Sequence, residues 1–267
     1  GKITPIDAES GINERQLDKK RAIESDLYFD VDQKLSEAIT VNYGLRYSLF
    51  CRFGPQNVSI YDNNQAVVFN EEFGIYEKAI PTGIKSYKSN EVIAQFGNFE
   101  PRVSISYSLN ENQSIKGSYN RMAQYLHLIS NTSSPTPLDI WSPSDDFFKP
   151  QLLDQFAVGY FRNFKDDKYS VEIETFYKEA TNTVNYIDGS ELVGNNNLEQ
   201  IILNGRSRAY GIEFLLRKNT GKLPGWISYT LSRSEQQTPG RSPNEPGINN
   251  GDWYRRSYDK LHNLSVT

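Results

Sequence analysis

From Ala38 to Phe53 the chain alternates strictly on one side. Ile39, Val41, Tyr43, Leu45, Tyr47, Leu49, Cys51 and Phe53 are separated by Thr40, Asn42, Gly44, Arg46, Ser48 and Arg52, and only Phe50 breaks the polar set. Period two is the mark of a strand with one apolar and one polar face. This run is about three times the roughly 5 to 6 residues of a mean soluble strand. It suits a tilted strand crossing a membrane, which needs about 9 to 11.

The pattern recurs in pairs. Val103, Ile105, Tyr107 and Leu109 turn at Asn110-Glu111-Asn112 and return as Ile115, Gly117 and Tyr119. Phe156, Val158 and Tyr160 lead through Lys165-Asp166-Asp167-Lys168 into Tyr169, Val171, Ile173, Thr175 and Tyr177. Tyr210, Ile212, Phe214 and Leu216 turn at Asn219-Thr220-Gly221 into Ile227, Tyr229 and Leu231, while Ser25, Leu27, Phe29 and Val31 precede the first long strand. With the strand that begins near Leu261, this predicts nine strands. Short connections fall near residues 34, 111, 166 and 221; long polar ones fall at about 54 to 98, 126 to 153, 181 to 207 and 237 to 260. Short and long connections therefore lie at opposite ends. The long ones include Asn131 to Pro137 and Thr238 to Gly247, rich in Asn, Ser, Thr, Gly and Pro.

These features predict an all-β, antiparallel up-and-down transmembrane β-barrel of the bacterial outer membrane, with short periplasmic turns and long extracellular loops. Such barrels close with an even number of strands, and an open edge in lipid leaves backbone groups unpaired. The chain is therefore expected to be part of a larger barrel, with both ends cut. The polar set carries Glu24, Asp26, Asp30, Arg46, Arg102, Lys116, Glu172, Glu174, Lys178, Glu213 and Arg217. A packed apolar core cannot absorb these groups, whereas a water-filled or plug-filled lumen can. Arg46, Arg102, Lys116, Glu172, Glu174, Glu213 and Arg217 are read as lumen-facing.

Composition narrows the chemistry. The 267 residues hold 29 Lys plus Arg against 33 Asp plus Glu, a formal charge of −4, which supplies no cationic field for a nucleic-acid backbone. The longest apolar run, Ala66 to Phe69, is far below the roughly 20 residues of a spanning helix. One cysteine, Cys51, forbids an internal disulfide, and two histidines support no metal cluster. Neither a phosphate loop nor a nucleophile elbow is present, so no cofactor, metal or catalytic residue is expected and the protein is not read as an enzyme. Aromatic residues make up 13% of the chain, with 17 Tyr, a composition that favours strands.

Five segments in order carry a family resemblance: Gly44 to Ser48; Phe148 to Gln151 with Asp154 to Tyr160; Arg208 to Glu213; Gly225 to Ser232; and Tyr258 to Val266. They resemble the barrel of TonB-dependent outer-membrane receptors, with a flavour of the Bacteroidetes type. The resemblance implies that residues 1–267 are part of a 22-stranded barrel domain whose plug domain and TonB box are not in this chain. It implies an outer-membrane receptor and transporter that binds a scarce nutrient, such as an iron chelate, cobalamin or an oligosaccharide. Import would be energised by the TonB system acting through the plug. Its partners would be TonB, a small-molecule or oligosaccharide cargo and outer-membrane lipid, with no nucleic acid. Two other classes share part of the pattern: a passive porin-like channel, and a soluble secreted carbohydrate-binding β-protein.

Candidate cargo contacts lie in the long connections. Arg121, Tyr125 and His127 combine a cation, an aromatic ring and an imidazole at a predicted extracellular strand end. The competing reading places Tyr125 in the outer aromatic belt and leaves His127 solvated, and it is the favoured expectation. Trp141 and the pair Trp253 and Tyr254, followed by Arg255 and Arg256, could hold an anionic aromatic chelate, although loop packing is the commoner role for such residues. Asp145 and Asp146 are expected to be solvated loop acids.

Overall fold

The computed structural model describes residues 2–3, 15–130, 139–192 and 195–267. The loop segment Asn131 to Pro137 lies outside the described residues. Ten strands form one antiparallel sheet: β1 (Arg21–Lys34), β2 (Ile39–Phe53), β3 (Val92–Asn110), β4 (Gln113–Gln124), β5 (Gln151–Phe164), β6 (Tyr169–Tyr186), β7 (Ile202–Lys218), β8 (Gly225–Gln237), β9 (Tyr254–Arg255) and β10 (His262–Val266). From β1 to β8 each strand pairs with the next in the chain, and β9 and β10 share the free edge of β8. Ten strands thus occupy the nine positions expected from the sequence.

The four tight turns fall where alternation places them, but several strands outrun it. β3 starts at Val92, and β6 and β7 continue to Tyr186 and from Ile202, so the third long connection shrinks to residues 187–201. Beyond the apolar band a strand has no lipid to face, so alternation fades while the hydrogen-bond ladder persists. Thr183, Val184 and Asn185 still pair with Gly205, Asn204 and Leu203, after a bulge between Thr181 and Thr183.

Register aligns the apolar positions into rows across the sheet. One row runs Ile115, Tyr160, Ile173, Phe214, Tyr229 and Leu264. Toward the long connections, which mark the loop end, a row of Tyr119, Phe156, Tyr177 and Tyr210 forms an aromatic belt. The next row, Arg121, Asp154, Glu179, Arg208, Glu235 and Arg255, is wholly ionic. At the turn end Phe164 lies opposite Tyr169, with Arg162 over the Phe164 ring and Lys168 over the Tyr169 ring. From Tyr169 to Tyr177 the face spans roughly 26 Å along the strand at about 3.3 Å per residue. A tilt of about 40° reduces this to roughly 20 Å, close to the band height of a membrane barrel.

The opposite face is polar and internally paired. Arg46 reaches Glu24 at 3.1 Å and Asp26 at 2.8 Å. Asp30 and Arg102, on β1 and β3, meet at 3.2 Å across the intervening β2. Gly44 is the β2 residue between them, and a Cβ there would stand 2.6 Å from Asp30 Oδ1 and 3.1 Å from Arg102 Nε. Its lack of a side chain is what allows this ion pair.

The two faces are expected to respond oppositely to charge. Val158, 57% exposed, lies on the apolar face one row inside the aromatic belt, so Val158→Arg should destabilise the barrel by about 2 kcal/mol. Ser228→Arg on the polar face should cost less than about 1 kcal/mol. Urea-dependent folding of the full-length barrel into lipid vesicles measures both, and equal costs would refute the assignment of faces.

Candidate functional site

At the loop end the sheet opens between β3 and β4: their last pair is Arg102 with Asn120, beyond which β3 follows β2 and β4 follows β5. Pro101 sits one residue past that point, where β3 has a partner on one side only. Tyr125 fills the opening from the polar side. It is 2% exposed, stacks on Phe50 at 5.0 Å, and its hydroxyl lies 2.7 Å from Ser48 Oγ and accepts from Asn98 Nδ2 at 2.8 Å. Phe50, the residue that broke the polar set, is there to carry this ring. Glu100 closes the gap, accepting from Ser48 Oγ at 2.6 Å and from the Ala123 amide at 3.2 Å.

The long connections fold over this end as one packed body. Val67 from the first, Ile129, Ile140 and Phe148 from the second, and Ile187, Leu192, Leu198 and Ile201 from the third are buried in one cluster, with Ile248 of the fourth against it. Cross-links join them: Tyr61 Oη donates to Glu199 at 3.1 Å, Gln200 Nε2 to the Ala79 carbonyl at 2.8 Å, and Arg241 Nη1 to the Val67 carbonyl at 2.7 Å.

Buried polar groups pin this cap to β2. Arg52, 2% exposed, forms an ion pair with Asp145 and donates to Gln56 Oε1 at 2.7 Å. Asp145 also accepts the amides of Phe147 and Phe148 at 2.9 and 2.8 Å. His127, 2% exposed, lies 2.8 Å through Nε2 from Ser144 Oγ, while its Nδ1 is buried without a partner. Loss of solvent pushes the His127 pKa down to about 4 against the opposing pull of Asp145. Burial, and then the neighbouring Arg52 charge, lowers the Lys20 ammonium, which donates to Ser142 Oγ at 3.1 Å. Burial raises the Glu199 carboxyl.

Beside the pins, between the cap and the polar ends of β4 to β9, lies a cavity of about 600 Å³. Its walls hold Arg255, Arg256, Tyr186, Tyr254, Tyr258, the amides Gln124, Gln151, Asn185 and Gln236, and no carboxylate among the described residues. The Tyr254 hydroxyl accepts from Asn185 Nδ2 and from Gln236 Nε2, the latter at 2.8 Å. The Arg256 guanidinium stacks on Tyr258 at 4.8 Å. Such a wall offers hydrogen-bond donors and flat rings to an anionic guest.

Residues 2–264 match the family model of the TonB-dependent receptor-like β-barrel. The chain belongs to that family. It is therefore part of a β-barrel of the Gram-negative outer membrane. The ferric-catecholate import receptor Fiu of Escherichia coli K12 is 14% identical, with a TM-score of 0.56 over 92% of this chain and 32% of its own. The FrpB iron transporter of Neisseria meningitidis (F3-3 variant) is 13% identical, with a TM-score of 0.51 over 87% of this chain and 28% of its own. The chain thus spans about a third of the length of these receptors, and the likeness to them is one of fold. No curated relative matches it by sequence.

Within this TonB-dependent receptor barrel the candidate contacts divide. Tyr254 and His127 line the cavity. Tyr125 does not join an outer belt but fills the opening between β3 and β4 on the polar side, and His127 is not solvated but buried under the cap against Ser144 and Phe148. Asp145 is likewise no solvated acid but 9% exposed and paired with Arg52. Arg121 lies in the ionic row, 3.8 Å from Asp154. Trp141 is 58% exposed and away from the cavity walls, while Trp253 packs against Arg206 and Arg208. Arg46, Arg102, Lys116, Glu172, Glu174, Glu213 and Arg217 share the polar face by register. Tyr186, Asn185 and Gln236 were missed because they sit in polar stretches without alternation. Arg256 beside Tyr258 was the available signal.

A neutral His127 in the closed cap and a free one in the open cap, near 6.5, give the cap a pH dependence. The open form binds the extra proton, so closure is fully stable above about pH 6.5 and weakens as pH falls toward 4, by up to about 3 kcal/mol. Hydrogen exchange of residues 126–130 and 139–148 in the full-length receptor should rise over that window. His127→Gln should flatten the response.

Proposed function

We propose that this chain supplies part of the lumen wall and part of the outer mouth of an import receptor, with the long loops outside the cell and the polar face turned to the lumen. The cargo is an anionic small molecule carrying flat rings, an iron chelate best fitting that description, and import draws on the TonB system through a plug domain. The observation that carries this reading is the cavity under the cap, walled by Arg256, Tyr254, Tyr258 and amides, with no carboxylate among the described residues. A neutral oligosaccharide would leave Arg256 unanswered, whereas a chelate carboxylate or catecholate engages a planar guanidinium fork. The ferric-catecholate import receptor and the iron transporter whose fold this chain shares are consistent with such a cargo.

Arg256→Ala combined with Tyr258→Ala should weaken binding of a ferric catecholate by about tenfold or more, the loss of a charge-assisted contact and a ring. Quenching of intrinsic fluorescence in the full-length receptor, with the amount in the outer membrane as control, measures it. Uptake of radiolabelled iron should vanish without TonB, and uptake independent of TonB would instead indicate a passive channel.

Orientation has its own test. Ile80 is 87% exposed in the first long connection, so Ile80→Cys in a Cys51→Ser background should react with an impermeant maleimide on intact cells. Labelling only after cell lysis would reverse the barrel.

A further inference from the structure

We propose that the outward face of β7, β8 and the Trp253 segment is a binding site for the phosphate of a lipid head-group. The proposal rests on the orientation given above and is independent of cargo. On every strand from β4 to β7 the aromatic row is followed one outward step later by an ionic residue: Tyr119 by Arg121, Phe156 by Asp154, Tyr177 by Glu179 and Tyr210 by Arg208. Charges are excluded from hydrocarbon, so on these four strands this step marks the level where acyl chains end and head-groups begin; on β8 the change comes one row earlier, at Arg233 opposite Tyr210.

The ionic row itself is balanced, with Glu179 and Glu235 flanking Arg208, and the surplus cation stands one step further out. Asp154 faces Arg121 and accepts from Tyr119 Oη at 2.7 Å, and Glu235 lies between Arg208 and Arg255. Arg206, exposed and one step further out on the same face, has no carboxylate opposite it; its cross-strand neighbours are Thr181 and Gln237. Trp253 draws Arg206 and Arg208 together, their guanidinium carbons standing 5.2 and 4.2 Å from its ring. Each guanidinium is anchored through Nε, Arg206 to Gln237 Oε1 at 2.6 Å and Arg208 to Glu235 Oε2 at 2.8 Å. Anchoring through Nε leaves the paired Nη groups as the fork that grips phosphate oxygens.

Position names the occupant. Arg206 and Arg208 belong to the outward parity of β7, so the sheet separates them from the cavity and from any guest within it. Below them on that face lie Tyr210, Ile212 and Phe214, which suit the acyl chains of the same molecule. A phosphate joined to acyl chains therefore matches both halves of the surface, whereas free phosphate matches only one.

The test uses the full-length receptor in a mild non-ionic detergent, offered lipid A with both phosphates or enzymatically dephosphorylated lipid A, with retained lipid counted by native mass spectrometry. Wild-type receptor should retain the phosphorylated lipid about fivefold or more over the other, and Arg206→Gln with Arg208→Gln should erase that preference. Equal retention of the two lipids by the wild type, or an unchanged preference in the folded double variant, would overturn the site. Displacement by an equal concentration of inorganic phosphate would overturn the lipid assignment. Should the double variant fail to fold, Arg206→Gln alone carries the comparison, because that side chain is exposed. Labelling at Ile80→Cys reports orientation separately, so intact surface labelling with no lipid preference sinks this site alone.

Discussion

A backbone amide carried into hydrocarbon must find its partner on the chain, because lipid offers neither donor nor acceptor. That constraint fixes the strand length, the antiparallel meander and the sequential pairing from β1 to β8. It also frees the side chains. Once every strand is paired by backbone alone, the face away from lipid need not be apolar, and β1 to β3 can hold Glu24, Asp26, Asp30, Arg46 and Arg102 as paired charges. The outward face has the opposite obligation over one height only. The change from Tyr177 to Glu179 on β6 takes a single outward step.

Above that height the same chain obeys ordinary aqueous rules. The connections bury Ile129, Phe148, Leu198 and Ile201 as a small soluble protein would, and they satisfy Asp145 with Arg52 and two amides rather than leave it in the apolar interior. Breaking such a buried pair on one side costs about 3–5 kcal/mol, more than either partner gains from solvent alone. Because all four long connections share one cluster, the cap is cohesive. Movement of one connection must disturb its neighbours.

The membrane-facing half of the fold was legible because lipid enforces alternation, and alternation survives in one sequence without alignment. Ile39 to Phe53 could be read residue by residue as to which face each side chain joins, while its register partners appear only in the sheet. Legibility ended where lipid ends. Thr181 to Tyr186 and Ile202 to Arg206 extend the sheet by backbone pairing alone, so their side chains carry no period to detect. Tyr125 and His127 were misplaced for a related reason: an aromatic ring near a strand end signals a belt only if the strand keeps its neighbours, and the parting of β3 from β4 is a property of pairing that a sequence does not display. Phe50 was the visible trace of that parting. An apolar residue on a polar face asks for a covering ring, and Tyr125 is that ring.

The site was partly legible, and its division illustrates how the pleat assigns roles. Trp253 and Tyr254 are adjacent and similar, and by composition they form one aromatic pair followed by two arginines. One step of a strand separates them by the thickness of the sheet. Trp253 turns outward to Arg206 and Arg208, while Tyr254 turns inward to Asn185 and Gln236. Neighbours in sequence therefore serve different solvents, and a substitution at one leaves the other's surroundings unchanged. Alternation thus does more than specify a strand: it lets one short segment serve the outward face on one side and a polar cavity on the other, so the two surfaces can diverge independently while the backbone between them stays fixed.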